Sequence, residues 1–222
     1  MAKINIKGDI IYNEWKKYYD HYGWDGVCPR DVQTIIDKAE HDEPLDVYIN
    51  SPGGIVEAGQ EIYTALRGDP RVNIHITGQA CSAASFIAMA GHSDISPVGL
   101  LMVHCASVGF CGGNHNDFQK VADALTVIDK AIANAYVTKS GMELEKAIRL
   151  MERETWLTAN QCVEYGLIDE ITPVDAPTAP SAAAAYGEIR LTKELIEKAE
   201  NEMKELENRK NALIEDLDDY GV

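Results

Sequence analysis

Three short stretches of the 222-residue chain carry groups that could do covalent chemistry together. Ser82 follows an alternating apolar run (Val72, Ile74, Ile76) and Gly78, and opens a segment of small residues with helical promise that reaches Gly91. Flanked by Cys81 and Ala83, its hydroxyl leaves room for a substrate backbone, and a helix N-terminus favours developing negative charge. The rival reading is packing, since small residues also let a helix lie close to a sheet. His104 closes a second apolar run, Leu100 to Val103. Asn50-Ser51-Pro52-Gly53-Gly54, after the run Leu45 to Ile49, reads as a turn whose glycines tolerate φ > 0 and point backbone N–H groups outward. Hydroxyl, imidazole and exposed amides are three ingredients of nucleophilic acyl transfer; the fourth is a carboxylate that orients the base.

The elements around these groups follow an α/β grammar. Lys3 to Ile11 reads as a first strand, and Pro29 opens a helix with Val32, Ile35, Ile36 and Ala39 on one face. Leu45 to Ile49, Val72 to Ile76 and Leu100 to Val103 read as strands, separated by a helix over Val56 to Leu66 and by the Ser82 helix. Tyr12 to Trp24 fits no pattern cleanly. In a largely parallel sheet, sites lie beyond the carboxyl ends of strands, where the glycine turn, Ser82 and His104 all fall.

Further on, Gly109, Gly112 and Gly113 make 107–116 glycine-rich, and a long helix is expected from Asp117 to about Thr138. Its apolar stripe, Phe118, Val121, Leu125, Ile128, Ile132 and Ala135, reads as core or helix–helix interface rather than a cofactor site. Leu144 to Met151 is a shorter helix, Thr158 with Gln161 is a capping box, and Gly166 is a stop before a strand over Leu167 to Ile171. Residues 1–172 thus read as one domain, 173–187 as a Pro/Ala-rich linker and 188–222 as a charged amphipathic helix, either a coiled coil or a docking helix. A solitary solvated helix is the competing reading.

Composition narrows the class. The 45% apolar and 25% charged content is that of a globular domain, and the formal charge of −16 disfavours nucleic acid and anionic membranes as partners. The N-terminus has no signal-peptide core, and no window approaches the roughly 20 apolar residues of a membrane span. Five scattered cysteines without Cys-x-x-Cys spacing suit reduced thiols in a cytoplasm. No His, Cys or carboxylate cluster has ligand spacing, so neither a metal nor an organic cofactor is expected.

Asn50-Ser51-Pro52-Gly53-Gly54, the Gly78 to Gly91 segment, Met102-Val103-His104 and Val163-Glu164-Tyr165-Gly166-Leu167-Ile168-Asp169 together resemble the Clp protease proteolytic subunit, in the same order and at similar spacing. The resemblance runs from about Lys3 to Ile171. It implies a ClpP/crotonase-like α/β fold, with repeated strand–helix units on a largely parallel sheet, here followed by a C-terminal helical extension. It places a catalytic serine on Ser82, a general base on His104, and oxyanion donors on the backbone N–H groups of Gly54 and Ala83. Ser85 becomes a packed helix residue, and His92 a surface residue in a loop. The third member of the relay falls on Glu154, where the family carries an aspartate, and Asp169 is the fallback.

The resemblance also implies a protein or peptide substrate, paired by strand addition along Gly109, Gly112 and Gly113. It implies a homo-oligomer joined through the long helix, heptameric rings being one arrangement. An AAA+ unfoldase or capsid proteins are the partners it suggests. Glu-Thr-Trp before the capped helix, Ser-Ala-Ala-Ser at the nucleophile and the C-terminal extension look like the phage and prophage head-maturation branch. Two readings compete with a serine endopeptidase: an acyl-CoA enzyme of the hydratase type on the same fold, and an assembly or scaffold protein with a decayed site.

Overall fold

The computed structural model describes residues 2–173 and 191–219. In chain order the elements are β1 (Ala2–Ile10), a 3-10 turn (Asn13–Trp15), α1 (Lys16–Tyr22), β2 (Gly26–Val27), α2 (Pro29–Lys38), β3 (Leu45–Gly54), α3 (Val56–Leu66) and β4 (Val72–Cys81). They continue with α4 (Ala83–Ile87), β5 (His92–Ile95), β6 (Leu100–Val103), α5 (His115–Ser140), α6 (Leu144–Glu152), β7 (Thr155–Thr158), α7 (Ala159–Glu164), β8 (Glu170–Ile171) and α8 (Lys193–Asp219).

Strands order as β2-β1-β3-β4-β5-β8, all parallel, and β4 forks. Its first half, Asn73 to Ile76, pairs with β5, and its second half, Gln79 to Cys81, pairs with β6. β7 then adds antiparallel to β6. Alternation decides the faces: Ile4, Ile6, Leu45, Val47, Ile49, Ile74 and Ile76 are buried in one core with residues of α2, α3 and α4. Each such aliphatic side chain contributes roughly 1.5–3 kcal/mol. Lys3, Asn5, Asp46, Tyr48, Asn73, His75 and Asp94 occupy the opposite face. The fold is thus α/β with a parallel sheet and a C-terminal helix, as the sequence pattern indicates.

Several elements depart from expectation. Residues 50–54 form no turn but continue β3, Lys7 pairing with Asn50, Asp9 with Gly53 and Ile10 with Gly54. The β3–β4 register shifts between Ile49 and Ser51, and there the Asn50 side chain substitutes for a backbone acceptor, Oδ1 taking the N–H of Gln79 at 3.2 Å. The Ser82 helix is only five residues long, because the chain tightens at Met89 and Ala90 into i→i−3 bonds before β5. A macrodipole is therefore a minor influence on Ser82. β5 and β7 are additional strands, and His92 lies on β5 rather than in a loop, exposed and beside Asp169. Residues 109–113 are exposed apart from the partly buried Cys111 and form no strand, since a strand exists only with a hydrogen-bonded neighbour and none of this chain's described strands pairs there.

α5 starts earlier than expected, at an Asn114–Asp117 capping box. Only its second half packs on the body: Ile132, Ala133, Ala135 and Tyr136 are buried, whereas Phe118 and Val127 are half or more exposed. The proposed linker lies almost wholly in 174–190, outside the described residues. α8 docks its first turns on α1, with Ala199 buried, Tyr18 Oη donating to Glu200 at 2.7 Å and Tyr22 Oη to the Leu195 carbonyl at 3.0 Å. Farther along, Leu206 and Ile214 are exposed.

Candidate active site

β4 ends at Cys81, and its last three residues are hydrogen-bonded to β6. Ser82 continues that ladder by donating its N–H to the Met102 carbonyl at 2.9 Å. The chain then turns sharply, so that Ser82 takes φ 53°, ψ −124°, a combination rare for a residue with a Cβ. Such backbone strain costs on the order of 1–3 kcal/mol and persists only where the surroundings over-determine it. Here the surroundings are close: a Cβ on Gly53 would lie 2.5 Å from Ser82 Cβ and 2.9 Å from Ala83 N, so only glycine lets β3 lie flush on this turn. Gly54 is equally constrained, its imagined Cβ falling 2.1 Å from the Ile10 carbonyl oxygen. Ser51, fully buried, locks the approach by donating Oγ–H to the Gly8 carbonyl at 2.6 Å and accepting the Gly53 N–H at 3.0 Å.

His104 follows β6 directly, two residues after the strand position that holds the Ser82 amide. Its Nε2 lies 2.7 Å from Ser82 Oγ. In the tautomer with hydrogen on Nδ1, the hydroxyl donates to Nε2, the geometry needed for proton abstraction. The segment after His104 is anchored from α5, where Asp129 Oδ1 accepts the Ala106 N–H at 2.7 Å. Asp129 escaped the sequence reading because it is one of many carboxylates on an amphipathic helix.

The other expected members are placed differently. β7 runs antiparallel to β6 with Thr155 opposite Val103, and one further step of that register sets Glu154 opposite His104. Glu154 is exposed, sits in a turn with φ 48°, and makes no hydrogen bond to His104 among the described residues. Asp169 is committed elsewhere: it accepts from Ser93 N and Oγ, at 2.7 and 3.1 Å, and pairs with Lys139. Burial raises the Asp169 carboxyl, but the Lys139 ammonium and Ser93 outweigh it and hold the group below the usual range. Ala83 is buried beside Gly53, while Gly109, Gly112 and Gly113 lie in the exposed segment beyond His104.

Rival nucleophiles are quiet. Burial pushes the Cys81 thiol up to about 11, and burial together with the Asp129 carboxylate does the same to Cys105, so both stay protonated near neutrality. Among the described residues no group of His, Cys, Asp and Glu side chains could hold a metal ion, and no helix is long and apolar enough to cross a membrane.

Ser85 is the packed helix residue that the resemblance implies, but its hydrogen bonds escaped the sequence reading. Ser85, fully buried one turn after Ser82, donates its Oγ–H to the Ser82 carbonyl at 2.6 Å and lies 2.7 Å from the buried Tyr136 hydroxyl of α5. No local signal could have found this contact, which spans 51 positions. Residues 32–175, which include every element from the glycine-rich end of β3 to β8, match the model of the Clp protease family, and the chain therefore belongs to that family of peptidases.

Proposed function

We propose that this protein is a serine endopeptidase whose nucleophile is Ser82 and whose general base is His104. The observation that carries the reading is the 2.7 Å contact between His104 Nε2 and Ser82 Oγ, on a strained turn at the carboxyl end of a parallel sheet. Ser82 Oγ attacks the scissile carbonyl carbon while its proton passes to His104 Nε2. The resulting oxyanion accepts from the backbone N–H groups of Gly54 and Ala83. Collapse of the intermediate expels the amine, which takes the proton from His104 and leaves an ester on Ser82. Water then attacks the ester carbon, gives a proton to His104, and Ser82 recovers it as the acid product departs. The base accounts for typically 10²- to 10⁴-fold and each oxyanion donor for about 10²- to 10³-fold.

Glu154 orients the imidazole in this reading. Its support is the β6–β7 register, which brings its backbone opposite His104, and its left-handed φ, a strain of the sort found at functional sites. The exposed first half of α5 supports assembly of several copies, with the substrate chain lying along the Gly109 to Gly113 segment. The phage and prophage head-maturation branch is the narrower assignment, supported by Glu154-Thr155-Trp156 and by α8 beyond the peptidase domain, with capsid proteins as substrates rather than chains delivered by an AAA+ unfoldase.

A second reading, an inactive scaffold of the same fold, is favoured by the missing hydrogen bond between Glu154 and His104. One experiment separates the two. The assembled protein is treated with a serine-reactive phosphonate and the adduct mapped, and casein or capsid-precursor cleavage is compared with that of Ser82→Ala. Modification at Ser82 and cleavage by wild type alone support the peptidase. Absence of both makes the scaffold the answer.

A further inference from the structure

We infer that Ser85 and Tyr136 are positioning residues that set the orientation of the oxyanion-binding amide of Ala83; the inference rests on the serine-peptidase reading. The Ser82 carbonyl and the Ala83 N–H belong to one planar peptide unit and point in opposite directions. Whatever holds the carbonyl therefore aims the amide. Two groups hold it: the Ser85 N–H at 2.9 Å and the Ser85 hydroxyl at 2.6 Å. The hydroxyl has a single hydrogen, and a carbonyl can only accept, so that hydrogen is spent on Ser82. Tyr136 must then be the donor in the 2.7 Å contact with Ser85 Oγ, and the sequence of bonds runs in one direction, from Tyr136 to Ser85 to the Ser82 carbonyl.

This arrangement answers a local problem. Ser82 sits at φ 53°, ψ −124°, where no intrinsic preference holds the next peptide in place, and α4 has only five residues to do so. On the far side, Gly53 lies against Ala83 N, so rotation of that peptide would alter the donor at the place where β3 and the nucleophile turn meet. Ser85 is fully buried and Tyr136 nearly so, which keeps water from competing for the carbonyl. Burial also raises the Tyr136 phenol, against the effect of its bond to Ser85, so it remains a neutral donor. Tyr136 lies on α5, and the orientation of the amide is thereby tied to the seating of that helix on the body.

The test uses the full-length assembled protein, a fluorogenic peptide and a peptide aldehyde. Ser82 Oγ adds to the aldehyde carbon and its proton moves to His104, so the hemiacetal oxygen occupies the oxyanion site. Ser85→Ala should lower kcat on the order of 10- to 100-fold with KM nearly constant, and weaken the aldehyde by the same factor as kcat/KM. Tyr136→Phe, which leaves the Ser85–Ser82 bond in place, should lower both severalfold. Parallel losses in kcat/KM and aldehyde affinity mark an oxyanion defect; a merely structural defect would lower active fraction and leave the aldehyde affinity of the remainder intact. That second pattern, or variants equal to wild type, overturns the inference. If Ser85→Ala does not assemble, Tyr136→Phe, which keeps the ring and its packing, decides the matter. A wild type that neither cleaves nor binds the aldehyde refutes the peptidase reading and this inference with it, whereas an active wild type matched by its variants refutes the inference alone.

Discussion

Two histidines of this chain have been given opposite surroundings. His104 sits 2.7 Å from a hydroxyl and has no carboxylate hydrogen-bonded to it among the described residues. His75, on the opposite face of β4, has the carboxylates and, among the described residues, no hydroxyl or thiol bonded to it: its Nδ1 lies 2.5 Å from Asp94 and its Nε2 3.8 Å from Asp46, and its ring stacks on Tyr48, over which Lys3 sits. Asp94 is held in turn by the Thr172 hydroxyl. The two imidazoles differ in what they face, a carboxylate at His75 and a hydroxyl at His104. His75 projects from mid-strand, in register with Tyr48 and Asp94, where no chain end or strained turn can present a reacting atom. His104 stands just past a strand end, where the Ser82 turn and the glycines of β3 converge.

The hardest blow to this contrast is removal of the hydroxyl. Ser82→Ala should reduce hydrolysis of a fluorogenic peptide on the order of 10⁵- to 10⁶-fold, and His104→Ala by a similar factor, with the double variant little worse than either. Additive losses would mean that the two do not act as a unit. Glu154→Gln sharpens the picture of His104: if the carboxylate orients the ring, kcat falls on the order of 10²- to 10⁴-fold while Ser82→Ala remains lower still. An unchanged kcat would leave His104 as a base without a carboxylate partner.

His75→Gln should leave kcat/KM within about twofold of wild type and alter only stability. The hydrogen bond to Asp94, opposed by burial and aided by the charges of Asp94 and Asp46, raises the His75 imidazole above its ordinary value. A raised folded-state value means that the protonated ring stabilises the fold. That contribution is complete below about pH 6.5 and disappears as pH climbs through the raised value. Melting temperatures of wild type and variant should therefore converge as pH rises from about 6 toward 9. Divergence over that range would show that His75 does not favour its charged form. The smallest effect belongs to Thr172→Val, which removes one bond to Asp94 and should cost about 1 kcal/mol in denaturant unfolding. Coupling to His75→Gln in a double-variant cycle would show that the three residues act together.

Some of this was legible in the residues. The bounds of α3 and β6 follow from apolar period, and the Thr158–Gln161 capping box from local chemistry, because each depends on neighbours within a few positions. Ser82 and His104 stood out because strand ends in a parallel sheet are where groups accumulate. The stretch 50–54 misled because Pro and Gly signal a turn, whereas here the glycines serve close approach: Gly53 to Ser82 and Gly54 to Ile10. β5 and β7 are four-residue strands whose identity comes from their partners rather than from their own pattern.

The amino-acid order alone determined the elements with a strong pattern of their own, among them α2, α3, β4 and β6, and which residues could act as nucleophile and base, since periodicity, capping and side-chain chemistry are local properties. Tertiary structure alone decided that Asn50 and Ser51 brace the glycine strand, that Asp169 is engaged by Lys139 and Ser93, and that Tyr136 reaches Ser85 across 51 positions. These are contacts between distant segments, and their geometry exists only once the sheet has set the segments side by side.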